Sequence, residues 1–148
     1  MRRVALPVIA FAALALIGLL IPFPYQVCPS WDVLVVDTAG NPVPDITIRL
    51  SYQDYSVERT SHEEDRTADS QGRASFPARV SSRSFARRGL GALAAALTGG
   101  VHASFGLHAS AFAFGQGLQG SAVSNGYVTD WTGKPNHMAS KITVARSQ

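Results

Sequence analysis

The sequence predicts an all-β domain of antiparallel meander or Greek-key type, carrying one short inserted helix and preceded by an N-terminal transmembrane or signal helix. Three observations predict it. Ile46, Ile48, Leu50 and Tyr52 alternate with Thr47, Arg49, Ser51 and Gln53, the pattern of a strand with one buried face. Thirteen Gly and eight Pro in 148 residues cut the chain into short elements. Residues 4–21 form an apolar run behind Met1, Arg2 and Arg3.

That run is long enough, at about 1.5 Å per residue, to cross most of a bilayer core. Arg2 and Arg3 are expected on the cytoplasmic side. No further Lys or Arg follows before Arg49, so the positive-inside rule sends the body of the chain outward. Residues 1–24 therefore read as a signal-anchor or a signal peptide, with the membrane as partner through residues 4–21. Pro22, Phe23, Pro24, Tyr25 and Gln26 at the exit are poor signal-peptidase residues, and the small pair Ala13 and Ala15 lies inside the run. Both an uncleaved anchor and a cleaved, secreted or periplasmic domain stay open. Residues 25–30 read as a linker. The single cysteine, Cys28, forms no intrachain disulfide; lipidation, an intermolecular bridge and a juxtamembrane thiol without a role are the readings it leaves.

The net charge of +3 falls to +1 once Arg2 and Arg3 are assigned to export, so bulk charge points to no nucleic-acid partner. Its distribution says more. Residues 31–70 carry nine acidic side chains against Arg49, Arg59 and Arg66, whereas eight basic ones from Arg73 onward face only Asp130. Opposite halves of this kind are expected to fold against each other, with the signs interleaved across neighbouring strands; a basic docking face is the alternative.

Residues 31–37, rich in β-branched and aromatic residues, read as the first strand, and Thr38 to Pro42 supply a turn. The alternating stretch 46–53 is the second strand. His62, Glu63, Glu64 and Asp65 read as a charged hairpin tip or loop. After Asp69, Ser70, Gln71 and Gly72, a further alternation sets Ala74 and Phe76 against Arg73 and Ser75.

Residues 36–50 (VDTAGNPVPDITIRL) with residues 67–76 (TADSQGRASF) resemble the carboxypeptidase regulatory-like family, and the resemblance covers about a third of the chain. It implies a transthyretin-like (prealbumin-like) Greek-key β-sandwich over residues 31–148, with a helical and Gly-rich insertion at 84–120. It also implies a module that is not an enzyme, with no cofactor. Some transthyretin-like proteins hydrolyse hydroxyisourate, but that subgroup ends in Tyr-Arg-Gly-Ser, and this chain ends in Ala145, Arg146, Ser147 and Gln148. Its catalytic residues have no matching positions here.

Residues 84–98 turn helical, with Ser84 as N-cap, Leu90, Leu93 and Leu97 in one stripe, and Gly99 and Gly100 at the end. The stripe is expected to be buried against the sandwich; a lipid-surface helix beside the anchor, helped by Arg83, Arg87 and Arg88, is the alternative. Residues 127–131 and 138–145 read as closing strands around a turn at 132–136.

Candidate site residues are few. His102 and His108 stand six apart, a spacing that spans about 20 Å in an extended strand, so one metal ion takes both only if Gly106 folds the chain back. His62 with its acidic neighbours is a weak oxygen cluster for calcium. Gly115, Gly117 and Gly120 spell the dinucleotide fingerprint, but turn residues rather than a helix follow them, so the stretch reads as a flexible loop. Trp131 reads as core, or as a sugar-binding platform. No catalytic, metal or cofactor residue is assigned. The function expected is a non-catalytic, membrane-tethered or exported structural or interaction module; the alternative is a carbohydrate- or peptide-binding module using Tyr52, Tyr55, Trp131 or the Gly-rich loop.

Overall fold

The computed structural model describes residues 2–100, 104–124 and 127–146, with α1 side chains from Pro7 onward. Helix α1 (Arg2–Leu20) leads into β1 (Phe23–Cys28), β2 (Ser30–Val36), β3 (Thr47–Asp54), β4 (His62–Thr67), β5 (Arg73–Phe76) and β6 (Arg79–Arg83). Helix α2 (Phe85–Gly99) follows, then β7 (Leu107–Gly115), β8 (Leu118–Ser121), β9 (Val123–Ser124), β10 (Tyr127–Val128), β11 (His137–Thr143) and β12 (Ala145–Arg146).

The strands form a five-stranded sheet in the order β12-β8-β7-β3-β4 and a three-stranded sheet β11-β2-β5, with β1-β6 and β9-β10 as separate pairs. Alternation decides which side chains meet. Trp31, Val33 and Val35 of β2, Ile48 and Leu50 of β3, and Ala109, Ala111 and Ala113 of β7 enter one buried cluster with Phe76, Trp131 and Ile142. The two larger sheets are thus the layers of a β-sandwich, and the three small alanines share the interior with two tryptophans and a phenylalanine.

Two Asx turns hold one end. Asp37 Oδ1 accepts from the backbone N–H groups of Ala39 and Asn41, and Asp69 Oδ1 accepts from those of Gln71 and Arg73. Gly72 joins them: its φ is +71°, and a Cβ there would stand 2.5 Å from the Val35 carbonyl oxygen, so only glycine fits.

The structure corrects several expectations. Residues 25–30 are not a linker. Residues Phe23 to Cys28 pair with β6, and Val27 and Cys28 are buried; Pro24 within the strand is tolerated because every strand of a two-stranded pair is an edge. Cys28 is therefore a core residue, and burial pushes its thiol up to about 12. His62 to Asp65 are not a hairpin tip but the start of the edge strand β4, on which Arg49 bonds Asp65 and contacts Glu63. The closing strand β11 runs parallel to β2 rather than antiparallel, because a crossover from the five-stranded sheet, not a hairpin, delivers it. Of 127–131, only Tyr127 and Val128 form a strand, and Trp131 makes a single bridge to Ala109.

Helix α2 has the predicted bounds. The Ser84 hydroxyl accepts from the Arg87 N–H, and the Gly100 N–H bonds back to Ala96. Its orientation is not the predicted one. Leu90, Leu93 and Leu97 are 67%, 56% and 77% exposed, and the helix instead meets the sandwich through Gly91, where a Cβ would stand 1.6 Å from the Ser56 carbonyl oxygen. Only the bare backbone of Gly91 permits that approach, and it turns the leucines outward. Leaving them in water forgoes about 1.5–3 kcal/mol each.

Two ion pairs join the halves, although neither links neighbouring strands, since β6 pairs with β1, β4 pairs with β3 and Arg88 stands on α2. Arg79 pairs with Glu64, and Arg88 with Asp54. Among the described residues, no helix is long and apolar enough to cross a membrane. The expected transmembrane span is to that extent unsupported, although a helix does occupy its place.

Candidate functional site

The register of β3 between β4 and β7 builds a groove. Tyr52 lies opposite His62 on one side and Ala109 on the other, and Gln53 lies opposite His108. The Tyr52 and His62 rings stack at 5.2 Å as a cross-strand pair. Beyond them, Tyr55 sets its ring edge-on to His108 at 5.0 Å. Tyr52, Gln53, Tyr55 and His108, with Ser51, Ser61, Ser110 and Asp130, line a polar cleft of about 230 Å³.

One contact organises this cleft. His108 Nδ1 lies 2.6 Å from Asp130 Oδ2. A carboxylate only accepts, so the proton of neutral His108 belongs on Nδ1 and its Nε2 presents a lone pair. The arrangement offers an acceptor, a carboxylate, hydroxyls and two tyrosine rings within one groove, which suits a polyhydroxylated or peptidic ligand.

Beneath the groove, Asp54 is 0% exposed and fully engaged. Its Oδ2 accepts from the Tyr25 hydroxyl at 2.8 Å and lies 3.3 Å from Arg88 Nε, while Oδ1 accepts from the Ser56 N–H at 3.0 Å. The Arg88 guanidinium sits over the Tyr25 ring, 4.4 Å from its centroid. Ser56 in turn accepts from the Gly106 N–H, and Tyr55 N–H donates to Gly106. This cluster fixes the 54–58 turn, and with it Tyr55, against β1 and α2. Burial, then the Asp54 bond, pushes the Tyr25 phenol up to about 12.

A second, larger cleft of about 730 Å³ runs between residues 53–59 and α2, and Arg59 and Arg87 both line it. Neither arginine makes an ion pair among the described residues.

Of the residues singled out from sequence, Tyr52, Tyr55 and His108 come together in the groove. His62 joins its rim, 3.3 Å from Glu58 rather than in an oxygen cage. His102 lies outside the described residues. Trp131 is buried, its indole N–H donating to the Pro135 carbonyl, so it is no sugar platform. Gly115 to Gly120 are not a flexible loop: Gln116 and Gly117, with φ of 53° and 72°, form the tight two-residue turn between β7 and β8. Among the described residues no three His, Cys, Asp or Glu side chains are grouped to hold a metal ion.

Sequence reasoning missed Asp130 as the partner of His108, and missed the Tyr25–Asp54–Arg88 cluster. Asp54 did carry a signal. It continues the buried parity of Ile46, Ile48, Leu50 and Tyr52, and a carboxylate on the apolar face of a strand demands partners.

No family model matches the chain, and no curated protein matches it. Among solved structures it is similar to the 3-chlorocatechol 1,2-dioxygenase of Rhodococcus opacus 1CP, with a TM-score of 0.50, 14% identity and 81% of this chain covered. The chain spans about 60% of the length of that dioxygenase. At such identity the likeness is one of fold. It nevertheless corrects the expectation that the chain is not an enzyme, which leaned on the architecture: a solved structure of similar fold is a catalyst, so the architecture does not argue against catalysis.

Proposed function

We propose that the chain is a membrane-tethered, extracytoplasmic interaction module, with α1 as the tether and the sandwich as the displayed domain. The observation that carries this reading is the outward apolar surface of α1. Phe11 is 75% exposed, and Val8, Ile9, Leu14, Leu16, Ile17, Leu19 and Leu20 are exposed with it. Such a surface is stable only when covered, and residues 4–21 are an apolar run behind the basic Arg2 and Arg3. The carboxypeptidase regulatory-like assignment is part of this reading, supported by the paired Asx turns at Asp37 and Asp69 and by Gly72 between them.

The test is the mass of the protein in the membrane and soluble fractions of the same cells. An intact chain that resists alkaline extraction supports the tether. A shortened chain free in solution overturns it and leaves a secreted domain.

A second reading has its own observation: Tyr52 and Tyr55 line an open polar groove beside His108 and Asp130. On this reading the displayed domain binds a carbohydrate or peptide there. Titrating the protein with neutral oligosaccharides and with peptides, followed by NMR shifts of the His108 and Tyr55 resonances, tests it; shifts scattered away from the groove would remove it.

A further inference from the structure

We propose that α2 is a second membrane contact, an amphipathic helix that docks on an anionic bilayer surface with Leu90, Leu93 and Leu97 in the headgroup–acyl boundary and Arg59 and Arg87 against lipid phosphates. The proposal rests on the reading of α1 as a membrane tether and says where the displayed domain then lies.

The first support is the way α2 is packed. At 3.6 residues per turn, Leu90, Leu93 and Leu97 fall within a stripe about 60° wide, roughly opposite the Gly91 and Ala95 side. Gly91 abuts the Ser56 carbonyl, and all three leucines are exposed. The helix is thus held to the protein by its small residues and offers its large apolar ones to the surroundings. That is the arrangement of an interfacial helix rather than of a core-covering one.

Charge is the second support. Helix α2 contains no acidic side chain, and Arg87 and Arg88 stand in its first turn, where the helix dipole disfavours cations. Arg88 is accounted for by Asp54 and Tyr25. Arg87 is exposed one turn before Leu90, and it shares with Arg59 the cleft between α2 and residues 53–59, on the Gly91 side of the helix. An arginine one turn before the outward leucine stripe, with a second across the cleft behind the helix, complements the phosphates of an anionic leaflet whose acyl boundary takes the leucines.

The third support is continuity with the tether. Phe85, the first residue of α2, stacks on Phe23 at 4.2 Å, and Phe23 follows directly on the exposed Leu19, Leu20 and Ile21 at the exit of α1. Helices α1 and α2 also touch. The apolar surface of the tether therefore runs through an aromatic pair onto the helix, at the level where aromatic side chains favour the membrane–water interface.

The experiment uses the full chain carrying Leu93→Cys, labelled with an environment-sensitive dye; Cys28, being buried, stays unlabelled. The labelled chain is reconstituted into vesicles of phosphatidylcholine, with or without phosphatidylglycerol, and with a lipid-borne quencher. Co-flotation with the vesicles reports the tether, and quenching reports α2. The expected result is flotation in both lipids, with quenching that rises with phosphatidylglycerol. Each of Arg59→Gln and Arg87→Gln should lower the docked-to-free ratio about fivefold.

Flotation without quenching in either lipid overturns the α2 contact and leaves the tether standing. Quenching indifferent to phosphatidylglycerol and to both arginines overturns the anionic surface as its partner. A blue-shifted but unquenched dye, together with disulfide cross-linking between copies of the unlabelled Leu93→Cys chain, overturns it in favour of a second copy of the chain. Absence of flotation removes the tether reading, and this proposal with it.

Discussion

The Tyr25 hydroxyl donates a 2.8 Å hydrogen bond to the carboxylate of Asp54, a side chain with no exposed surface. The bond ties β1, the first strand after α1, to the end of β3, and Arg88 brings α2 to the same carboxylate. Burying a carboxylate is costly unless its oxygens are occupied. Three elements, from Tyr25 to Arg88 in the sequence, are therefore joined through one charge.

Removing one partner exposes the cost. Tyr25→Phe is expected to destabilise the fold by about 1.5–3 kcal/mol, the range for a hydrogen bond to a charged group. Arg88→Ala, which leaves the carboxylate without its cation, should cost about 3 kcal/mol or more. Urea unfolding of both variants measures this. A cost below about 0.5 kcal/mol for Arg88→Ala would mean that the cluster does not secure α2.

Alkaline pH should weaken the protein in a defined window. Burial pushes Cys28 from 9.0, and burial with the Asp54 bond pushes Tyr25 from 10.0, each to about 12. The native state therefore holds these two protons more tightly than the unfolded chain does. The associated stability is fully present below the unfolded values and is lost as pH rises towards about 12. Thermal unfolding followed from pH 8 to pH 12 should show the decline, and Cys28→Ala should flatten it. The native thiol should also resist maleimide at neutral pH.

Gly89 and Gly91 lie two residues apart in α2 and should respond oppositely to alanine. A Cβ at Gly89 meets nothing within 4 Å, so Gly89→Ala should stabilise by about 0.5–1 kcal/mol through helix propensity. A Cβ at Gly91 would collide with the Ser56 backbone, and Gly91→Ala should destabilise by about 1–3 kcal/mol and loosen α2. Melting temperature and limited proteolysis at residues 85–99 distinguish the two. Equal responses would mean that α2 is not seated on Ser56.

In the groove, Asp130→Asn should leave the fold intact, because Asp130 is exposed, while it loosens the orientation of His108. For any ligand that binds there the expected loss is about tenfold or more, the scale of a charge-assisted hydrogen bond. Calorimetric titration of the ligand into wild type and variant measures it. Unchanged affinity would place that ligand elsewhere on the molecule.

How much of this was legible varies with the kind of information each residue carries. The alternation of Ile46, Ile48, Leu50 and Tyr52 predicted β3, and Ser84 with Gly99 and Gly100 predicted both ends of α2, because strand period and helix caps are written in neighbouring residues. Strand β1 was not legible, since Pro24 within it and Pro22 and Pro29 on either side look like a linker until β6 supplies the partner that defines it. The groove was half legible. Tyr52 and Tyr55 stood out as aromatics, but Asp130 lies twenty-two residues from His108, and only the fold brings the two within 2.6 Å.

By itself, then, the amino-acid order determined the all-β class of the domain, the places of β2, β3, β5 and β11, the caps of its inserted helix and the apolar character of α1, but not β7 and β8, which lay within the segment read as an insertion. Those properties follow from short-range periodicity, backbone preference and composition. The tertiary structure decided the parallel pairing of β11 with β2, the burial of Cys28, the Tyr25–Asp54–Arg88 cluster and the outward turn of Leu90, Leu93 and Leu97. A leucine stripe states that a helix has two faces without stating which of them meets the protein. That choice fell to Gly91, whose missing side chain lets the backbone of α2 touch Ser56 and leaves the leucines pointing away.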